Sequence, residues 1–369
     1  GNVYTSGYFV GTVDFGAGNV TSSGSYDVFV TKLNAAGVHQ WTNTFGGTGN
    51  DIGRGVGVDG SGNVYTSGYF VGTVDFGAGD VTSNGSWDGF VTKYNAAGAH
   101  QWTTTFGGTG NSDYSYGLAV DGSGNVYSTG SFRDTVNFGA GNVTSAGDTD
   151  VFVTKLNSAG AHQWTTTFGG TDDQSGFAVA VDGSGNVHVT GRFVGTVNFG
   201  AGDVTAAGGE DAFVTKLNSS GAHQWTTAFS STSASRGQSV AVDGSGNVYT
   251  TGQFSGTVDF GAGDVTAAGV NTDIYITKLN SSGAHQWTNT YGDSPTDWGL
   301  GVALDTAGNV HVTGRFQGTV DFGAGDVTSA GSSDGFVVKL NSAGQAVVAG
   351  GGGGGGTPAA PPAPCPWPT

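Results

Sequence analysis

The run Asp59-Gly60-Ser61-Gly62-Asn63-Val64-Tyr65 constrains this chain more than any other feature, because its Gly-Asn-Val-Tyr/His core keeps returning. The core glycines are Gly1, Gly62, Gly124, Gly185, Gly246 and Gly308, spaced by 61 or 62 residues. So regular a period means one supersecondary unit copied along the chain. A repeat array then forms one domain from many small units, so length is a poor guide to domain number.

In the second copy four strand-like segments can be read. Gly55 to Val58 is short and apolar, Asp59 to Gly62 is a turn, and Asn63 to Thr66 returns as the second strand of a hairpin. The Gly-rich stretch Phe70 to Asp80 reads as a small extra hairpin or a loop. Gly89 to Tyr94 is the third strand, and Asn95 to Gly98 turns into a fourth, His100 to Phe106, whose Trp102 and Phe106 share one face. Four short strands at this period, with no helical pattern, predict an all-β fold: a β-propeller with six visible blades, complete as it stands or part of a seven-bladed or larger array. The blades begin near residues 1, 55, 117, 178, 239 and 301 and end near 349. Trp41, Trp102, Trp164, Trp225 and Trp287 are the expected anchors between blades, each worth roughly 4–6 kcal/mol if fully buried.

The first copy lacks its innermost strand, and the last has Gln345-Ala346-Val347-Val348 where the others have His-Gln-Trp. A six-bladed ring is then expected to be one strand short, through loss of a preceding blade or an open ring. Residues 350–369, Gly-rich and then Pro-rich, read as a linker or tail leading to an anchor or further domain.

The run Val240 to Tyr249, Val-Ala-Val-Asp-Gly-Ser-Gly-Asn-Val-Tyr, followed by Asp273-Ile274-Tyr275-Ile276-Thr277-Lys278-Leu279-Asn280, resembles the bacterial SBBP β-propeller repeat. The resemblance implies a propeller in exported or surface-anchored bacterial proteins and brings no catalytic residues. Lys155 to Trp164 also resembles the tryptophan-docking motif of quinoprotein dehydrogenase propellers, which docks blades and is not itself catalytic.

Glycine occupies 72 positions, and the net charge is −17 with Glu210 as the only glutamate. A nucleic-acid partner is excluded by the want of a basic face, and no stretch is apolar enough for a membrane helix. Cys365 is the lone cysteine and stands in the tail, so no disulfide is expected. The expected setting is outside the cell or on its surface, and the expected state is a monomer.

Asp59, Asp121, Asp182, Asp243 and Asp305 each end a first strand. They read either as caps of their own turns or as a carboxylate ring around the axis able to hold Ca2+, although the spacing lacks the later Glu of a calcium loop. His39, His100, His162, His223 and His285 lie a blade apart and cannot share one ion, and His188 and His311 stand where other copies have Tyr. Lys32, Lys93, Lys155, Lys216, Lys278 and Lys339 hold one position in the third strand; they read either as a cationic rim for an anionic sugar or, the reading preferred, as stems along an aromatic ring with each ammonium on a local Asp. The connections between copies differ most, and they collect Arg54, Tyr114, Tyr116, Asp173, Arg236 and Trp298 as ligand-binding candidates. No copy carries a unique acid, base or nucleophile set. The chain therefore reads as a non-catalytic binding or structural scaffold for protein or glycan ligands, without a cofactor. The alternatives are a propeller enzyme (hydrolase, lyase or quinoprotein-like dehydrogenase) acting at the pore mouth through Asp173, Arg54 or Arg236, and a spacer for a downstream domain.

Overall fold

Six antiparallel sheets follow one another along the chain, each built around the same hairpins. The computed structural model describes residues 1–110, 112–293 and 296–347; the expected tail with Cys365, and Asn111, Ser294 and Pro295 of two connections, lie outside the described residues. Blade two is typical, with strands Ile52–Val58, Val64–Phe70, Asp88–Tyr94 and His100–Phe106 side by side in chain order from inner to outer edge. The inner strands of successive blades lie next to one another, from Ile52–Val58 through Tyr114–Val120, Gln174–Val181 and Ala234–Val242 to Trp298–Leu304. This is a six-bladed β-propeller arrangement with no helix among the described residues.

The Gly-rich stretch is a hairpin in every copy, for example Thr73–Asp75 paired with Asp80–Thr82. Asp75 Oδ1 accepts the N–H groups of Gly77 and Gly79 at 2.8 and 2.9 Å, which closes the tip. The hairpin sets Phe76 into a four-ring cluster with Phe70, Phe90 and Phe45 of the preceding blade, centroids 5.0–6.4 Å apart. Phe106, Phe132, Phe138 and Phe152 repeat it one blade on. Each blade is thus bonded to the last through buried aromatic surface, at roughly 25 cal/mol per Å² removed from water.

The five tryptophans do join neighbours, but they are half-buried rather than core residues, so the value expected for full burial is too high. Trp41 Nε1 donates to the carbonyl of Ala96 in the next blade at 3.2 Å, and Trp102 repeats this to Ser158 at 3.1 Å. The indole lies flat on the turn glycine: a Cβ on Gly98, whose φ is +87°, would meet Trp41 at 2.9 Å. Fully buried anchoring falls instead to Phe90, Phe152, Phe213 and Tyr275 in the third strands.

Among the described residues blade one has Val3–Phe9, Asp27–Leu33 and His39–Phe45 but no inner strand, and blade six has Trp298–Leu304, Val310–Phe316 and Asp334–Leu340, with its outer edge met only by Ala346, bridged to Leu340, and by Val347, whose N–H donates to Lys339 O at 2.8 Å. Val337 is 77% exposed where its counterparts Val91, Val153, Val214 and Ile276 are fully buried, and Val3 is 53% exposed where Val64 is fully buried. Among the described residues no strand of blade six pairs with one of blade one.

Candidate functional site

Antiparallel pairing sends the connections to two opposite rims. The lower rim carries the turns Asp59–Gly62 and Asn95–Gly98 and their copies; the upper rim carries the blade-to-blade connections and the passages from second to third strand. On the lower rim Asp59 Oδ1 accepts the N–H groups of Ser61 and Asn63, while Oδ2 takes Asn63 Nδ2 and the Tyr65 hydroxyl, all within 2.7–3.0 Å. Burial works against this charge, yet the donors of Asn63, Tyr65 and Ser61 outweigh it and hold the carboxyl below its usual pKa. The same turn is made at Asp121, Asp182, Asp243 and Asp305. Each carboxylate serves its own hairpin. Among the described residues no three of His, Cys, Asp and Glu stand close enough to hold a metal ion.

The lysines depart from expectation. Lys32, Lys93, Lys155 and Lys278 do lie 5.0–5.7 Å from Tyr ring centroids, but their ammonium groups seek the next blade: Lys32 donates to Ala96 O at 2.8 Å and Lys93 to Ser158 O at 3.0 Å. Lys339, in the last blade, pairs with Asp305. The outer-strand histidines His39, His100, His162, His223 and His285 each bond a Thr hydroxyl three residues on at 2.9 Å. His188 is fully buried against Trp225, and burial, then Lys216, pushes its pKa down to about 4.

The upper rim is built differently. Every complete inner strand has a β-bulge near its upper end, where one residue is left without a cross-strand partner: Arg54, Tyr116, Phe177, Gln238 and Leu300. A bulge re-aims the inserted side chain. Here the inserted side chains of successive blades meet, Arg54 lying 6.0 Å from the Tyr116 ring and Tyr116 5.7 Å from Phe177. In blades two to four they form one continuous row. Two residues before each bulge is a second varied position, Ile52, Tyr114, Ser175, Arg236 and Trp298, facing Tyr69, Ser131, Arg192, Gln253 and Arg315 on the second strand.

These positions form two clusters. On blades two to four, Arg54 Nη2 donates to the Tyr69 hydroxyl at 2.9 Å, Tyr69 meets Tyr114 edge-on at 4.7 Å, and Tyr114 stacks on Tyr116 at 5.6 Å. Burial raises the Tyr116 phenol to about 12. On blades four to six, Glu210 takes both Arg192, at 2.7 Å, and Arg236. Trp298 Nε1 donates to Thr272 Oγ1 at 3.1 Å, and the Arg315 guanidinium lies 3.5 Å from the Trp298 centroid. Arg236, Glu210, Gln253 and Trp298 line a cleft of about 280 Å³.

Of the sequence candidates, Arg54, Tyr114 and Tyr116 come together, and Arg236 and Trp298 share the cleft. Asp173 joins neither cluster among its recorded contacts; its Oδ1 accepts the Thr149 hydroxyl at 3.0 Å. Sequence reasoning missed Phe177, Gln238 and Leu300. A signal was present, since each bulge residue stands five before a turn aspartate.

Comparison with known proteins adds a family. The model of the β-propeller repeat, SBBP, matches residues 101–131 and 224–253. The chain is 24% identical to an uncharacterized WD repeat-containing protein, L264, of Acanthamoeba polyphaga mimivirus, and 27% identical to the regulatory protein FlaEY of Caulobacter vibrioides, over 87% of its own length in each case. It spans 28% and 37% of those proteins. A crystal structure of a Bacteroides caccae protein of unknown function is similar over 93% of this chain and 92% of its own, at 11% identity and a TM-score of 0.45.

Proposed function

For a chain that carries SBBP β-propeller repeats, we propose a non-catalytic binding scaffold, displayed outside the cell or on its surface, that recognises a protein or glycan with its upper rim. One observation carries the reading. A bulge recurs near the upper end of all five complete inner strands, and the residue it inserts is different every time, whereas the turns of the lower rim repeat almost letter for letter. A rigid frame presenting varied aromatic and charged groups is the usual construction of a recognition surface. No cofactor is part of the proposal, and the lower-rim carboxylates are given to their turns.

The test replaces Arg54, Tyr116, Phe177, Gln238 and Leu300 together by alanine and compares the variant with the parent on an array of glycans and surface proteins. The parent is expected to retain ligands that the variant loses, while the melting curve of the variant still shows one cooperative transition. A variant that keeps every ligand overturns the reading, as does turnover of any glycan, peptide or ester by the parent that vanishes in Asp173→Asn.

A further inference from the structure

All five arginines of the chain, Arg54, Arg133, Arg192, Arg236 and Arg315, belong to the upper rim, and all six lysines to third strands whose ends lie at the lower rim. In a chain of net charge −17 this is a marked separation. Lys32, Lys93, Lys216 and Lys278 reach carbonyl groups of the next blade, whereas Arg54 and Arg315 lie against aromatic rings, and a planar guanidinium suits the fork of a carboxylate.

The cleft between blades five and six concentrates these features. Glu210 accepts from both Arg192 and Arg236, so two cations share one carboxylate and one positive charge is left over. Trp298 forms one wall and is fixed by its bond to Thr272 and by Arg315 against its ring. Hydroxyl and amide groups of Ser255, Gln253 and Thr272 line the cleft beside the apolar Ala234 and Val270. Gln253 is 6% exposed, and its Oε1 is buried without a hydrogen-bond partner. A buried acceptor without a partner is destabilising, and a turn of the Gln253 amide toward the cleft would give it the hydroxyl of an entering ligand.

We propose that this cleft is a subsite for one acidic sugar residue, a hexuronate unit of an anionic glycan. The sugar ring lies against Trp298, its carboxylate meets Arg236, and a ring hydroxyl donates to Gln253 Oε1. An aromatic wall, a surplus cation and several neutral polar groups in about 280 Å³ match a single carboxylated polyol; an acidic peptide would need a longer groove. The inference rests on the upper rim being the binding face, and it names the ligand class there.

The probe is tri-galacturonic acid, titrated calorimetrically into the full 369-residue chain beside the neutral galactose trimer. Saturable binding of the acidic trimer is expected, at least ten-fold tighter than the neutral one and weakening with added salt. Arg236→Gln and Trp298→Ala are each expected to weaken it ten-fold or more, with Trp298→Phe restoring part of the loss and Lys155→Gln changing nothing. Melting curves of the variants separate lost binding from lost folding. Failure of the acidic trimer to bind, equal binding of the two trimers, or indifference to both substitutions overturns the inference. If another ligand is found and is lost in the five-alanine bulge variant, the rim reading stands and only the sugar falls.

Discussion

Each complete inner and outer strand carries one bulge, and the two bulges behave in opposite ways. At the lower end of the outer strand the pairing skips one residue between Trp and His, and in all five copies that residue is glutamine: Gln40, Gln101, Gln163, Gln224 and Gln286. Its amide bonds back to carbonyls beside it, as Gln101 Nε2 does to Ala99 and His100 at 3.1 and 2.9 Å. At the upper end of the inner strand the skipped residue is Arg54, Tyr116, Phe177, Gln238 or Leu300. The same irregularity is thus fixed where it positions the Trp that grips the next blade, and free where it lies on the upper rim. The indole grip on the next blade belongs to the lower rim, and the inserted positions of the upper rim take no part in it.

The hardest blow to this contrast should come from the lower rim. Gly160 has φ +82° and a Cβ there would meet the Trp102 ring at 2.8 Å; Gly160→Val is expected to cost about 3 kcal/mol, from a strained backbone and a displaced indole. Urea unfolding checks it, and the Trp102→Ala Gly160→Val double variant should lose less than the sum, since both act on one contact. A midpoint unmoved by Gly160→Val would break the comparison.

The two rims should also titrate in opposite senses. Near the upper rim, burial raises Asp51, Asp150 and Asp273 to about 6 and Asp113 to about 7. A raised acid binds its proton more tightly folded than unfolded, so its contribution is full below about pH 4 and is lost as pH rises through 6–7. The lower turn carboxylates, such as Asp121, are lowered despite the opposing effect of burial, by hydrogen bonds from Asn125, Ser123 and Tyr127. Their contribution is present above about pH 4 and is lost as pH falls further. The melting temperature is therefore expected to peak near pH 4–5 and to decline toward pH 8, and Asp113→Asn should flatten that decline. Blade four already carries such a change: Gln174 accepts from Gly170 N at 3.2 Å and donates to Val194 O, where Asp113 accepts from Gly108 and Arg133.

Smaller effects follow. Asp121→Ala should cost about 1–2 kcal/mol, since the N–H groups of Ser123 and Asn125 lose their acceptor. Leu300→Ala should move stability by no more than about 0.5–1 kcal/mol in thermal unfolding, because the residue is exposed and has no ladder partner to lose. A larger loss at Leu300 than at Asp121 would invert the assignment of the rims.

Strand order, turns and hairpins were legible in the residues because period-two patterning and Asp-Gly-Ser-Gly-Asn or Asn-x-x-Gly turns act locally. Inner strands begin earlier than Gly55 suggested, at Ile52, since the bulge at Arg54 breaks the alternation that marks a strand. The candidate site was half legible. Arg54, Tyr114, Tyr116, Arg236 and Trp298 stand out as unlike their counterparts, but their partners Tyr69, Arg192 and Arg315 lie on the second strand, inside a motif that otherwise looks constant. Pairing across strands, which the linear order hides, joins them. The lysines misled for the same reason: their acceptors are 64 or 65 residues away.

A residue that sits outside the ladder answers to no neighbour across the sheet. Change at the five inserted positions can accumulate one blade at a time without any step that a folding chain would reject. Relatives sharing this skeleton can diverge in what they hold while remaining interchangeable in how they are built, and a laboratory library confined to those five letters would sample that divergence directly.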